Sequence, residues 1–429
     1  MRIRYFINFF CLLIILFINI SIIYGQENRL TLEQSIKIAY QNNQDIIIAK
    51  EQLKTSEAQK QQAIATALPS LTLANSYTNY FSNINGNEDP QRLYKTEFSL
   101  DQILWSAHVI PAISAADLLL QKSKYDFQRK KQDIELSVTK AFFGVLKAKR
   151  FLGIVLQSID LAKEHLRQVM LMEEIGMATE TDVLQTKLTL SKLNRDLINV
   201  KSSLKLAEDA FNYAIGLPLD TPVKIDSNYT IAMTPGSLDQ VLADAQENRY
   251  DIKAMQKTIK MLEANIHVVG TSQWPSLGIN ATYDWSNSDN FSYEESDQNW
   301  QWTLGFSWTF FDGLATLGKI KEAESTLEQT ESQYSQLIDG ILIEVRESWQ
   351  KIQTAVQTLE ITTTELDLAK KNLEANQLKY RYGAGSNLDL LDAQTKILST
   401  RNSMANSEYD YEIAKAELCH AIGVNIVNE

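Results

Sequence analysis

The stretch from Trp300 to Phe310 alternates large apolar residues with small or polar ones. A period of two places alternate side chains on opposite faces of a β-strand, and the length suits a transmembrane strand, which needs roughly 9–11 residues. Alternation alone favours a half-buried strand of a water-soluble sheet. Six of the seven Trp residues, however, lie in or beside four such stretches, as in the aromatic belts of membrane barrels. The sequence therefore predicts strands with one lipid-facing side, which carries Trp285, Trp300, Trp302, Leu304, Phe306, Trp308 and Phe310.

Much of the chain occurs twice. A Pro-Ser-Leu motif starts at Pro69 and again at Pro275, and similar turn motifs surround Gly176 and Gly383. Because this spacing stays at 206 or 207 residues, we interpret the chain as an internal duplication. The copies are residues 26–216, with strands at about 70–81 and 93–104, and residues 237–429, with strands at about 275–286 and 299–310. Residues 217–236 join them.

Each copy is expected to contain a helix, a β-hairpin, a long helix, a turn and a second helix. The first helix is predicted from Leu30 to about Ala67 with Thr31 as its N-cap, and a polar loop is predicted at 82–92. Residues 112–217 and 276–429 contain no proline. Since proline costs about 3 kcal/mol inside a helix, these spans can form very long helices. Such rods must lie against other rods, as in a coiled coil or a helical wall.

The chain opens with a basic segment followed by an apolar run, which predicts a signal peptide over residues 1–25. The alternative is an uncleaved membrane anchor, because the run nearly reaches spanning length. Removal of this segment takes away Cys11 and leaves Cys419, so no intrachain disulfide is expected. The net charge of −12 argues against a nucleic-acid partner.

Four strands are too few to close a barrel. They leave open edges, which lipid does not tolerate, and single-chain bacterial barrels start at about eight strands. Two chains would supply eight strands and three would supply twelve. Side chains fill an eight-stranded interior, whereas conduction needs a wider bore. Trimerisation is therefore the favoured expectation.

The chain resembles the TolC family of outer-membrane efflux proteins along nearly its whole length. The resemblance rests on the duplication, the two Pro-Ser-Leu strand starts, the Phe-Phe-Asp-Gly motif at 310–313, and the segment from Tyr380 to Gln394. It implies a mainly α protein with a small β portion. Three chains would form a twelve-stranded outer-membrane β-barrel that continues as a periplasmic α-helical barrel. The implied function is a passive duct of a tripartite efflux or type I secretion system.

The resemblance also implies partners. These are two further copies of the chain, outer-membrane lipid, a periplasmic adaptor protein, and an inner-membrane transporter of the RND, ABC or MFS type. Gly176 and Gly383 would close the helix-to-helix turns at the tip where family members meet the adaptor, and a helix-ending role is compatible with this contact.

Asp389 and Asp392 match two acids that ring the periplasmic mouth in the family. They share a helix face, so three chains would gather six carboxylates, which attract cations. The alternative is a first-turn pair that offsets the helix dipole.

The closed mouth of some relatives is held by links that match Asp182 with Tyr380, and Thr181 with a basic residue. Gly385 stands where the family has an Arg. We therefore expect this mouth to be held more weakly or by other contacts.

No motif predicts chemistry. The four His residues show no metal-ligand spacing, and no phosphate-binding Gly loop is present. The acidic tract at 286–299 is expected to be a solvated hairpin loop. We thus expect no enzyme, metal or cofactor. The rival function is a periplasmic coiled-coil adaptor or scaffold anchored by residues 5–23, which would not require lipid-facing alternation in four segments.

Overall fold

The computed structural model describes residues 29–427, apart from 85–86, 228, 230, 232–235, 289 and 292. The expected signal peptide at 1–25 lies outside the described residues. The helices are α1 (Leu32–Asn42), α2 (Gln44–Ala65), α3 (Val109–Glu174), α4 (Glu180–Ile215), α5 (Leu238–Asn248), α6 (Tyr250–Gly270), α7 (Ala315–Arg381) and α8 (Asn387–Ile422). The strands are β1 (Ser70–Ile84), β2 (Asn87–Ser106), β3 (Ser276–Asn287) and β4 (Gln298–Ser307).

The expected long helices are confirmed. Helix α3 has 66 residues and α7 has 67, and each is therefore on the order of 100 Å long. Among the described residues, none of the helices combines the length and the apolar character that a membrane crossing requires.

The expectation of one continuous helix from Leu30 to Ala67 is wrong. Thr31 does cap α1, but the helix stops at Asn43, whose backbone is extended. The Asn43 side chain donates to the carbonyl of Ala214 over 2.8 Å and accepts from the Asp45 N–H over 2.9 Å. An Asn that binds backbone groups in this way competes with the helical hydrogen bonds.

The second copy breaks at the matching place. Arg249, 206 residues after Asn43, has the same extended backbone between α5 and α6.

The chain forms two compact units. The first contains Lys130–Asn248, Ile341–Glu429 and the described residues up to Ile47. Its core includes the fully buried side chains of Phe142, Phe143 and Phe211. The second contains Ile48–Arg129 and Arg249–Gly340, and it holds the β-sheet.

The four strands form one antiparallel sheet in the order β1-β2-β3-β4. The ladder between β1 and β2 extends to the pair Ile84 and Asn87. The expected polar loop at 82–92 is therefore wrong, because all but residues 85–86 of this segment belong to the strands. Within the described part of the chain, β1 and β4 each pair on one side only.

The fourth strand ends earlier than expected. Its last pair joins Ser307 to Ser276, the first residue of β3. Pro275 precedes β3 and has no N–H to donate, so the ladder cannot continue beyond it. Trp308 and Phe310 consequently lie past the strand end, and their expected place within it is wrong. Both side chains are exposed and contact each other edge-on.

The register separates the sheet into an apolar face and a polar face. Residues directly opposite each other share a face, which brings together the apolar positions Leu71, Leu73, Phe98, Leu100, Leu277, Ile279, Tyr283, Trp285, Trp300, Trp302, Leu304 and Phe306. The other face carries mostly charged, hydroxyl, amide or glycine residues. Trp300, Trp302, Leu304 and Phe306 are exposed, whereas Trp285 is half-buried beside the rings of Phe98 and Tyr283. The expected amphipathic sheet is present.

Candidate functional site

The candidate site lies in the first compact unit, where α3 turns into α4 and α7 turns into α8. Gly176 and Gly383 end the two long helices with φ of 75° and 71°. The N–H groups that follow donate back into each helix, from Met177 to the Met172 carbonyl over 2.7 Å and from Ala384 to the Lys379 carbonyl over 2.8 Å. These bonds form the Schellman motif, which favours Gly because a Cβ strains the left-handed backbone.

Matching capping boxes open the two return helices. Thr179 and its partner Asp182 begin α4, and Ser386 and Asp389 begin α8, 207 residues later. The Asp182 carboxylate accepts from the Thr179 backbone N–H over 2.9 Å and from its hydroxyl over 2.7 Å. The Thr179 N–H, followed by its hydroxyl, lowers the pKa of Asp182 below its usual value. Asp182 and Asp389 therefore satisfy N–H groups at the helix starts.

An apolar cluster joins the four helices below the turns. Its buried members are Val169 of α3, Val183 of α4, Ala369, Leu373 and Tyr380 of α7, and Leu390, Ala393 and Ile397 of α8. Burial first, and then the charge of Asp182, raises the pKa of the Tyr380 hydroxyl. The hydrogen bonds found among the described residues do not include one between Tyr380 and Asp182. That link stays a prediction, as does the one from Thr181, whose side chain is exposed.

Gly385 is tightly packed against the end of α7. A Cβ at this position would lie 2.9 Å from the Lys379 Cβ and 3.2 Å from the Tyr380 backbone nitrogen. Contacts below 3.0 Å require the neighbours to move, so this turn does not accept a larger residue without rearrangement. Any side chain at this position would therefore require the end of α7 to shift.

A buried polar network lies within the same apolar cluster. The Nε2 of His165 on α3 is 2.8 Å from the Oδ1 of Asn387 on α8. The Asn387 amide donates to the Asp182 carbonyl over 3.2 Å and lies 3.4 Å from the Thr186 hydroxyl oxygen. The His165 ring also contacts the Tyr380 ring edge-on, with centroids 5.2 Å apart. The network connects all four helices.

The sequence alone does not predict this network, although it carries one signal of it. His165 lies three residues after Ala162 and four before Val169, and both of these are buried apolar positions. A polar residue at a core-facing position of a helix is therefore readable from the sequence. Its partner Asn387 is 222 residues away, and the sequence does not indicate that the two residues meet.

Asp389 and Asp392 line a shallow cleft of about 510 Å³ between α7 and α8. The cleft also contains the side chains of Asn372 and Asn376, and it contains Lys396. Lys396 is one turn beyond Asp392 on the same helix face. The structure thus brings the two expected acids together and adds a positive charge beside them.

Apolar residues at the turns are open to solvent. Ile175 and Met177 flank Gly176 and are each 70% exposed, and Tyr382 precedes Gly383 and is 80% exposed. Both turns thus present large apolar side chains to solvent, and exposed apolar surface of this kind is typical of contact sites. In the described part of the chain, no group of three or more His, Cys, Asp or Glu residues could hold a metal ion.

Long paired helices joined to a sheet with one apolar and one polar face define a class of protein, the outer-membrane channel subunit built mainly from helices. The family model described as "Outer membrane efflux protein" matches residues 35–217 and 241–424. The chain belongs to this family. The expectation of an outer-membrane efflux protein is confirmed, and the adaptor alternative is set aside.

Individual comparisons agree with the family. The outer membrane protein TolC of Vibrio cholerae is 21% identical over 364 residues, which cover 83% of this chain and 82% of TolC. The cation efflux system protein CusC of Escherichia coli is 21% identical over 397 residues, which cover 90% of this chain and 85% of CusC. The crystal structure of the Campylobacter jejuni CmeC outer membrane channel has a TM-score of 0.81 at 16% identity, covering 93% of this chain and 87% of CmeC. The last comparison shows a common fold.

Proposed function

We propose that three copies of this chain close a twelve-stranded barrel in the outer membrane and form a passive exit duct. The observation that carries this proposal is the sheet, with its exposed apolar face and with β1 and β4 each paired on one side. In lipid, unpaired backbone groups cost several kcal/mol each. Pairing of β1 of one copy with β4 of the next removes these edges, and three copies give a bore wide enough to hold water.

The polar face of the sheet would then line the bore. It carries Lys95, Glu97, Ser99 and Asp101 on β2, opposite the small and polar residues of β3. A wet lumen lets these groups keep their hydration, whereas lipid would not. The chain would supply no chemistry, and the energy for transport would come from the partner.

The turns are proposed to dock a periplasmic adaptor, which connects the duct to an inner-membrane transporter. The exposed side chains of Ile175, Met177 and Tyr382 offer an apolar surface beside Gly176 and Gly383. The relative CusC is named as part of a cation efflux system, which supports a working unit of several proteins. The cleft with Asp389 and Asp392 would face the lumen just above this contact and select ions at the mouth.

The proposal is tested with the purified full-length protein in detergent. Light scattering should give the mass of three chains, and the sample should migrate as a heat-modifiable oligomer in gels. The same sample should insert into planar bilayers and conduct ions. A monomer that shows no conductance would refute the duct.

A further inference from the structure

His165 has one ring nitrogen without a partner. The residue is 3% exposed, and its Nδ1 is buried and makes no hydrogen bond. Because the Asn387 amide nitrogen donates to the Asp182 carbonyl, the Asn387 Oδ1 is the acceptor toward His165. The imidazole therefore donates from Nε2, and Nδ1 is the unprotonated nitrogen of a neutral ring.

The surroundings of His165 offer little to stabilise a positive charge. The ring lines a cleft of about 320 Å³ with Tyr380 and Arg381 of α7. Leu390 and Gln394 of α8 also line this cleft, and these two side chains do not titrate. Arg381 would repel an imidazolium. A buried cation without a partner costs several kcal/mol and is avoided by deprotonation.

The nearby carboxylates are already engaged. Glu164, the neighbour of His165 on α3, accepts from Arg167 over 2.7 Å and from Gln168 over 3.2 Å. Asp182 of α4 accepts from Thr179.

We propose that the contact between His165 and Asn387 holds the turn ends of the four helices together only while the imidazole is neutral, so that acid opens the periplasmic mouth. This inference rests on the proposed duct function. It assigns His165 as a positioning residue, and the contact takes the place of the link that Gly385 cannot make. Protonation would put a hydrogen on Nδ1 with no acceptor, which favours separation of α3 and α4 from α7 and α8 so that water reaches the ring.

The direction of the pH dependence follows from burial. Burial lowers the pKa of His165 below 6.5, and the hydrogen bond with Asn387 opposes this shift only in part. In an open mouth, the ring is solvated and its pKa returns to about 6.5. The packed state is therefore fully favoured above that pH and loses stability as the pH falls below it. Between pH 7.5 and 5.5, the ratio of open to closed states should rise by up to about tenfold per chain.

The test measures open probability in planar bilayers at pH 7.5 and 5.5. The wild type should open more at pH 5.5. His165→Gln keeps a donor for Asn387 but cannot gain a charge, so its open probability should stay constant.

A second variant guards against misfolding of His165→Gln. The chain has four His residues, and replacement of His108, His267 and His420 by Gln leaves His165 as the only one. This variant should keep the wild-type acid response, and its loss would overturn the proposal. An unchanged acid response in a conducting His165→Gln variant would overturn this inference alone, whereas the lack of any wild-type conductance would overturn the duct as well.

Discussion

The charge of the cleft at the α8 start can be changed stepwise and should set the ion selectivity of the mouth. Asp389, Asp392 and Lys396 line the cleft together, so each chain contributes a net charge of −1 and the proposed trimer would carry −3. Asp389→Asn combined with Asp392→Asn leaves only the lysines and gives +3. Selectivity should therefore reverse from cations to anions, because Lys396 remains. Lys396→Gln makes the charge of the proposed trimer more negative, at −6, and should strengthen cation preference.

The size of the reversal follows from Coulomb's law. One unit charge roughly 8 Å from a permeating ion contributes about 0.5 kcal/mol in water. Screening over a Debye length of about 10 Å at 0.1 M reduces this to roughly 0.2 kcal/mol. The change of six charges in the double variant then amounts to about 1.4 kcal/mol, which is roughly tenfold in local cation concentration.

The assay is the zero-current potential across a planar bilayer under a KCl gradient. The cation-selective potential should be largest for Lys396→Gln and smaller for the wild type. It should have the opposite sign for the double aspartate variant. Lys371→Gln is the matched control, because Lys371 pairs with Asp367 on an exposed part of α7 outside the cleft. A double variant that keeps the wild-type sign, or a control that shifts as much as Lys396→Gln, would refute the reasoning.

Three further outcomes are expected. Gly216→Ala should destabilise the protein by several kcal/mol in thermal melts, because φ is 77° and a Cβ would lie 2.5 Å from the Asn42 backbone. The control Gly153→Ala has open space around it and should be neutral or slightly stabilising in the same measurement. Leu304→Arg on the apolar face should cost about 2–4 kcal/mol in lipid and reduce the heat-modifiable oligomer in outer membranes, whereas Thr303→Arg on the polar face should assemble normally. Ile175→Asp should abolish efflux in cells but leave bilayer conductance unchanged, since it alters only the proposed adaptor surface; lost conductance would contradict this assignment.

The sequence was sufficient wherever structure follows a local period. Alternation placed Trp300, Trp302, Leu304 and Phe306 on one face, and the absence of proline allowed α3 and α7 to run without interruption. The glycines that end the long helices are predictable as well, because a left-handed backbone strongly favours Gly.

Other boundaries depend on parts of the chain that are far away. Asn43 interrupts the first helix through a contact with Ala214, which is 171 residues distant. The end of β4 is set by Pro275, which immediately precedes the neighbouring strand β3. In both cases the local residues favour continuation, and a tertiary contact decides otherwise.

The candidate site divides in the same way. Asp389 and Asp392 stand out in the sequence because they lie in a contiguous motif, whereas the position of Lys396 beside them is visible only in the structure. The polar network depends on side chains from four helices. The roles of His165 and Asn387 follow from the contact between them, which neither residue indicates by itself. Burial and side-chain pairing arise from the packing of the helices, and the periodicity of the sequence does not predict them.

In the proposed trimer, the free edges of β1 and β4 would make each subunit depend on both of its neighbours. A single copy with a defective β1 would leave a gap in the ring even when the other two copies are intact. Damage at an edge should therefore be dominant in cells that express both forms, because most mixed assemblies would contain at least one faulty copy.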